Sequence, residues 1–388
     1  MTRRFTTLLI ATAAALAVAS CGDSGGGTTT APEPEPSIVT IDTVPADLAV
    51  SADEPFPEAR CEANKAAGTI TYLSGFDYAA TASIVDVLVA NARGYYADLC
   101  LDVDVKASFS TENYPLIAGN AAQFASGGSF SEVVDFAGRN DAGFVVLSAE
   151  GRTGIDALIV KPGAAARLDD LRGSTIGVKG ALTTSVRAML AQAGLVEGTD
   201  YQTVLLDGFD PKVHMEVPGI IGFPGYKSNE PEQLKAAGID FTLFNPTDFG
   251  VPGSFGIIYT NTTFLEEFPV AAEDFMRATM RGLADALADP KGAAAIAIDL
   301  INANGNALFL SPAGETARWK VESGLIEQYV TPALPAGVLD IDALHNEVDT
   351  YTAMGLFGSV TPDISTLVAP ELVARLYDDN GTVIWPKG

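Results

Sequence analysis

Residues 207–256 read DGFDPKVHMEVPGIIGFPGYKSNEPEQLKAAGIDFTLFNPTDFGVPGSFG. Ile220-Ile221-Gly222-Phe223 has the character of a short buried strand, and Pro224-Gly225 is expected to stop it. A polar cluster follows, Tyr226 to Pro231. Ser228 or Asn229 then suits a helix N-cap, with Pro231 in the first turn and Glu232 three residues after Asn229. Leu234 and Ala237 give that helix an apolar face, and Gly238 ends it. A polar cluster therefore stands where a strand gives way to a helix. Open α/β sheets bind small ligands at such junctions. A plain capping box would produce the same pattern.

Outward from this stretch, strand-like and helix-like patterns alternate. Residues 69–73, 103–105, 144–147, 157–160, 175–178, 204–206 and 255–259 read as strands. Ile84, Val85, Leu88, Val89 and Ala92 recur at helical spacing, as do Val186, Met189, Leu190 and Ala193. Residues 124–131, FASGGSFS, read as a Gly-rich turn entering a helix. The alternation predicts βαβ units, hence an α/β fold with mainly parallel sheets. After Thr260 the composition turns helical, with a long helix through Phe275 and Leu283 that Pro290 terminates. Further helix is expected over residues 293–301, 314–330 and 341–354.

The 388 residues predict about two domains. A net charge of −26, with no basic patch carrying interleaved aromatics, argues against nucleic acid or an anionic lipid surface as partner. Residues 1–20 read as a signal peptide: Arg3-Arg4, then a short apolar run from Leu8 to Val18. Val18-Ala19-Ser20-Cys21 resembles a bacterial lipobox, which predicts cleavage before Cys21 and its acylation. Residues 22–37 alternate Gly/Ser/Thr with Pro-Glu and read as a tether, and the segment to residue 67 as a surface wrap. Cys61 and Cys100 are then an even pair in an oxidising setting, expected as a disulfide.

Enzyme chemistry finds little footing. Two histidines, His214 and His345, do not build a Cys/His metal cluster, and His214 reads as local packing. Gly253-Ser254-Phe255-Gly256 lacks the leading glycine of a nucleophile elbow because position 252 is Pro. No P-loop and no G-x-G-x-x-G follows a strand. No catalytic residue, metal or cofactor is expected.

Several motifs carry a family likeness. Residues 168–178, LDDLRGSTIGV, resemble the second-lobe opening of bacterial solute-binding proteins with the type II periplasmic-binding fold. Residues 89–96, VANARGYY, followed by Leu101-Asp102-Val103, resemble a first-lobe signature of the same proteins. Gly208-Phe209-Asp210-Pro211, Tyr226, Asn229-Glu230-Pro231, Phe249-Gly250-Val251-Pro252 and Phe275-Met276-Arg277-Ala278-Thr279 resemble the thiamine-pyrimidine-synthesis-like branch. Two departures stand out: Cys100 at a glycine-like position, and Gln123 where many relatives have Asp. The pyrimidine synthase sharing this fold has a cysteine-rich active-site segment and a histidine ligand set, and neither is present here.

The resemblance implies two lobes around a ligand cleft, docking on an ABC permease. Lobe 1 is expected at residues 68–160 and 259–388 and lobe 2 at 161–258, with crossings near 158–161 and 255–260. The expected ligand is a small heterocycle, thiamine-pyrimidine-like or flavin-like; the alternatives are a sulfonate- or nitrate-type anion, a vitamin-precursor enzyme, and an interaction lipoprotein without a small ligand. Phe76, Tyr78 and Tyr226 are expected to stack it, and Asp77, Asn229 and Glu230 to bond its edge. Gly127, Gly128, Ser129, Thr183 and Thr184, at helix N-termini, would supply N–H and hydroxyl groups. An acid in the cluster favours an amine-bearing ligand; Lys227 favours an anion. A monomer is expected, held to the membrane only through its lipid.

Overall fold

The computed structural model describes Pro45 and residues 48–304, 311–359 and 362–387. The expected signal, Cys21 and the tether at residues 22–37 lie outside the described residues. In chain order the first body carries α1 (Glu58–Ala66), β1 (Thr69–Leu73), α2 (Val85–Ala92), α3 (Tyr95–Asp98), β2 (Asp102–Lys106), α4 (Ser110–Ala118), β3 (Phe124–Gly127), α5 (Phe130–Asn140) and β4 (Phe144–Gly151). The second carries β5 (Asp156–Val160), β6 (Thr175–Val178), α6 (Thr184–Gln192), β7 (Gln202–Leu205), α7 (Pro211–Glu216), β8 (Gly222–Tyr226), α8 (Glu230–Ala236) and β9 (Thr242–Phe244). The chain returns through β10 (Phe255–Asn261) into α9 (Thr262–Glu267), α10 (Pro269–Ala288), α11 (Pro290–Asn304), α12 (Pro312–Glu327), α13 (Ile341–Ala353) and α14 (Pro370–Ala374).

Two five-stranded sheets result, ordered β2-β1-β3-β10-β4 and β7-β6-β8-β5-β9. Each is mixed rather than mainly parallel. In the first, β10 runs antiparallel to both β3 and β4; in the second, β5 runs antiparallel to both β8 and β9. The antiparallel strands are those next to the two crossings between sheets, where the chain enters from the opposite end.

The crossings fall earlier than expected. All of β5 pairs within the second sheet and all of β10 within the first. The chain therefore changes sheet at residues 152–155 and 251–254, so residues 156–160 leave the first body and 255–258 join it. Thr153 and Thr247 share a hydroxyl hydrogen bond of 2.9 Å here. A Cβ on Gly253 would stand 2.7 Å from the Gly154 nitrogen, so the two crossing segments touch backbone to backbone only because residue 253 has no side chain.

Three local readings change. Residues 124–127 form strand β3 rather than a turn, because Tyr72 and Leu73 pair with Phe124 and Ala125 deep in the core. Pro224 and Gly225, expected to stop a strand, lie within β8. Lys227 N donates to Ile155 O, the residue just before β5, while Tyr226 N turns away to Glu230. Alternation puts Pro224 on the Tyr226 side, where β5 asks no N–H of it. Residues 58–66, expected as surface wrap, form helix α1. Its Arg60 is 1% exposed and bonds Asp274 at 2.6 Å and Glu273 at 2.7 Å on α10. Asn64 donates to Asp274 and to Leu99 O.

A disulfide joins Cys61 on α1 to Cys100, with Cα atoms 5.2 Å apart. Cys100 takes φ of 60°, the left-handed conformation that a glycine-like position implies. Gln123 Oε1 accepts from Thr71 N at 2.9 Å, so this departure from the family pattern tethers the start of β3 to β1. Apolar packing supports both bodies. One buried cluster centres on α2 and α10, with Leu88, Phe275 and Leu283; another joins Val146 and Ile257 of the first sheet to Leu158 and Ile176 of the second.

Candidate functional site

The carboxyl ends of β6 and β8, the loop after β1, and one face of α12 enclose a cleft of about 920 Å³, open to solvent. From the first body come Gly75, Phe76 and Thr81; from the second, Lys179, Thr183, Phe209 and the turn from Pro224 to Glu230. Arg318 and Glu322, from α12, close the remaining side. A narrow inner chamber, partly open to the cleft, continues past Tyr226 to Ser126, Gly127 and Gly128 at the end of β3.

Local sequence explains each placement. After β8 the chain turns at Lys227 and Ser228 and starts α8 with Glu230 and Pro231 in its first turn. Glu230 Oε2 accepts from Tyr226 N at 2.9 Å, and Oε1 takes the Lys179 ammonium at 2.9 Å. Lys179 also lies 4.8 Å above the Phe209 ring. Phe209 stands edge-on to Phe76 at 6.4 Å, one ring from each body, and Phe76 stands edge-on to Phe109. Phe209 is 46% exposed, so these rings line an open wall rather than a sealed core.

The expected capping box is absent. The Asn229 side chain makes no cap bond. Its Oδ1 accepts from Arg318 at 3.1 Å and from Gln233. Ser228 Oγ donates to Glu322 at 2.6 Å. Both side chains reach across to α12 because α12 offers an ionised partner to each, and a charge-assisted bond outcompetes a neutral cap.

Arg318 is held by Glu315 through two bonds of 3.1 and 2.9 Å, with its guanidinium 5.7 Å from the Phe76 ring. Glu322 is 1% exposed and accepts from Thr81 Oγ1, from Ala82 N at 2.6 Å and from Ser228. Burial pushes the Glu322 carboxyl up, against the donors of Ser228, Ala82 and Thr81 and the nearby Arg318 charge. Burial likewise raises the Tyr226 phenol, so this ring stays neutral. Thr183 Oγ1 is buried on the lining without a hydrogen-bond partner.

Of the residues expected at the site, Phe76, Thr183, Tyr226, Asn229 and Glu230 come together on the cleft, with Gly127 and Gly128 on the inner chamber. Four fall outside both linings. Asp77 takes φ of 51° and accepts from Tyr78 N in a local turn. Tyr78 packs on the core and donates to Val105 O. Ser129 caps α5, and Thr184 is the first residue of α6. Lys227 points to Asn245 Oδ1, away from the cleft lining. His214 is buried edge-on to Phe223 at 5.2 Å, a packing residue. Sequence reasoning missed Lys179, Phe209, Arg318 and Glu322. Among the described residues no three Asp, Glu, His or Cys groups stand close enough to hold a metal ion, and no helix is long and apolar enough to cross a membrane.

Two sheets joined by paired crossings, with a cleft between them, define a periplasmic-binding-protein fold. The periplasmic aliphatic sulphonate binding protein SsuA of Escherichia coli superposes with a TM-score of 0.58 at 13% identity, over 78% of this chain and 92% of that one. The periplasmic nitrate-binding protein NrtA of Synechocystis PCC 6803 gives 0.56 at 14% identity, over 79% and 87%. The chain belongs to the NMT1/THI5-like family, which matches residues 81–293. It is also 26% identical over 272 residues to the riboflavin-binding protein RibY of Chloroflexus aurantiacus, covering 67% of this chain and 72% of that one.

Proposed function

We propose that this chain is the extracytoplasmic solute-binding component of an ABC importer, taking a flat heterocycle into the cleft between its two bodies. The observation that carries this reading is the pair Phe76 and Phe209, one ring from each body, edge-on to each other with centroids 6.4 Å apart on a lining that also includes Tyr226. Aromatic walls stack a planar ligand, and polar groups around them read its edge. Thr183 Oγ1 and the Asn229 amide are the edge-reading groups; Glu230 accepts from a ring amine when Lys179 swings toward solvent. The likeness to a riboflavin-binding protein supports a flavin-like ligand, and the family supports a thiamine-pyrimidine-like one.

Binding without turnover fits this site, because its acids and bases are engaged in structural pairs rather than aimed at a shared reacting position. Closure of the bodies on ligand would present a changed surface to a permease, the way a hinge converts binding into a signal. The protein would work as a monomer, exported by residues 1–20 and held to the membrane by acylated Cys21. A thermal-shift screen with riboflavin, thiamine pyrimidine, ethanesulfonate and nitrate tests the reading. A ligand that binds only the folded protein raises its Tm. Stabilisation by riboflavin or the pyrimidine supports the proposal; stabilisation by the sulfonate or nitrate alone refutes it.

A further inference from the structure

The loop entering α2 has its N–H groups already occupied by carboxylates of this chain. Glu315 Oε2 accepts from Ala80 N at 2.9 Å, Glu322 Oε2 from Ala82 N at 2.6 Å and Glu150 Oε1 from Ser83 N at 2.7 Å. All three acids are almost fully buried, at 0%, 1% and 2% exposure. The N-terminal end of a helix attracts negative charge, and a mobile anion would ordinarily find donors there. In this protein the chain supplies the negative charge itself.

Glu322 is the one of the three that also lines the outer cleft. Ala82 N–H can only donate to it, and the Thr81 and Ser228 hydroxyls can donate as well, an arrangement that together with the nearby Arg318 charge favours the ionised carboxylate against its burial. The two cations on the lining are already matched, Lys179 by Glu230 and Arg318 by Glu315. With Glu315, which sits behind Arg318, counted alongside the lining residues, two cations stand against the three carboxylates Glu230, Glu315 and Glu322, so the group carries one negative charge in excess. A negative group placed beside Glu322 would be repelled and would find no free cation to offset it.

We propose that Glu322 sets the charge class of the ligand: it fills a backbone donor of the loop entering α2, so that the cleft accepts uncharged or cationic flat heterocycles and rejects anionic ones, including phosphorylated forms of the same ring. The inference rests on the heterocycle reading above and adds a rule that reading does not contain. Glu322 is in this sense a specificity residue.

Calorimetric titrations of the wild-type protein and of Glu322→Ser test the rule, with riboflavin against flavin mononucleotide, thiamine against thiamine monophosphate, and ethanesulfonate and nitrate as free anions. The wild-type protein should prefer the unphosphorylated member of a pair by at least about tenfold and show no saturable binding of either free anion. Glu322→Ser should narrow that preference by about tenfold, whereas exclusion by size alone would persist in the variant. Equal wild-type affinity for both members of a pair, saturable binding of a free anion, or an unchanged ratio in a folded Glu322→Ser overturns the rule. If neither ring binds, the heterocycle reading falls by itself, and the free-anion titrations still decide: wild-type silence with anion binding gained by Glu322→Ser supports the rule, and no gain overturns it. Should Glu322→Ser not fold, the wild-type ratios and the free-anion titrations decide.

Discussion

Ser228 Oγ, on the turn after β8, donates a 2.6 Å hydrogen bond to Glu322 Oε1 on α12. Beside it Arg318 bonds Asn229 at 3.1 Å. A turn of the second sheet is thus tied directly to a helix of the first body. Removing Ser228 leaves a buried carboxylate one donor short, and a hydrogen bond to a charged group contributes about 1.5–3 kcal/mol. Ser228→Ala should therefore weaken binding of the cleft ligand by about tenfold or more while the fold survives, read as Kd by calorimetry with circular dichroism as control.

The rings at the cleft mouth give a second expectation. Phe209 is 46% exposed and contacts Phe76 and Lys179 without supporting a core, so its loss should leave stability nearly unchanged. An aromatic contact contributes about 0.5–1.5 kcal/mol beyond buried area. Phe209→Ala should weaken riboflavin binding by about three- to tenfold with an unaltered Tm, measured by quenching of flavin fluorescence.

Helix α1 is held by charge and a covalent bond rather than by apolar area. Arg60 is enclosed by Glu273 and Asp274, and breaking a buried pair from one side costs about 3–5 kcal/mol. Arg60→Ala should lower unfolding free energy by that amount in a denaturant titration. The Cys61–Cys100 bond, spanning 39 residues, should contribute about 3–4 kcal/mol, lost in the double serine variant or on reduction.

Buried acids fix the direction of the pH dependence. Burial raises Asp156 to about 6, against a bond from Ser185, and raises Asp86 to about 7 beside Glu150. These carboxyls hold protons more tightly folded than unfolded, where Asp titrates near 4. Their stabilisation is complete below about pH 4 and is lost as pH rises through about 6 to 7. The net charge of −26 acts in the same direction, so variants must separate the two. Tm should fall between about pH 5 and 8, and Asp156→Asn should flatten the lower part of that fall by about 2–3 kcal/mol in unfolding free energy.

Periodicity made most of the scaffold legible. The Thr69–Leu73 and Thr175–Val178 strands and the α2 and α6 helices follow from apolar spacing alone. The polar turn at residues 226–230 and Phe76 were legible as site candidates for the same reason, since they stand where strands end. What stayed hidden depends on partners far along the chain. Glu315 and Glu322 lie more than 230 residues after the Ala80–Ala82 backbone whose N–H groups they accept from, on a helix with no distinctive motif, and Arg318 shares that helix. Ser228 and Asn229 have ideal capping chemistry, and only the arrival of α12 redirects them. Helix α1 has too few apolar positions to announce itself, because Arg60 and Asn64 carry its docking. The first crossing is expected a few residues late because residues 157–160, Ala-Leu-Ile-Val, are uniformly apolar and suit either sheet.

The central claim is that the cleft takes a flat, unphosphorylated ring against Phe76 and Phe209. Calorimetric titration of riboflavin into the wild-type protein and into a Phe76→Ala, Phe209→Ala double variant tests it most directly. The account predicts saturable binding of one molecule per chain, weakened by at least about tenfold in the double variant. Equal affinity in both proteins, or no binding of any flat ring alongside tight binding of nitrate or a sulfonate, would contradict it.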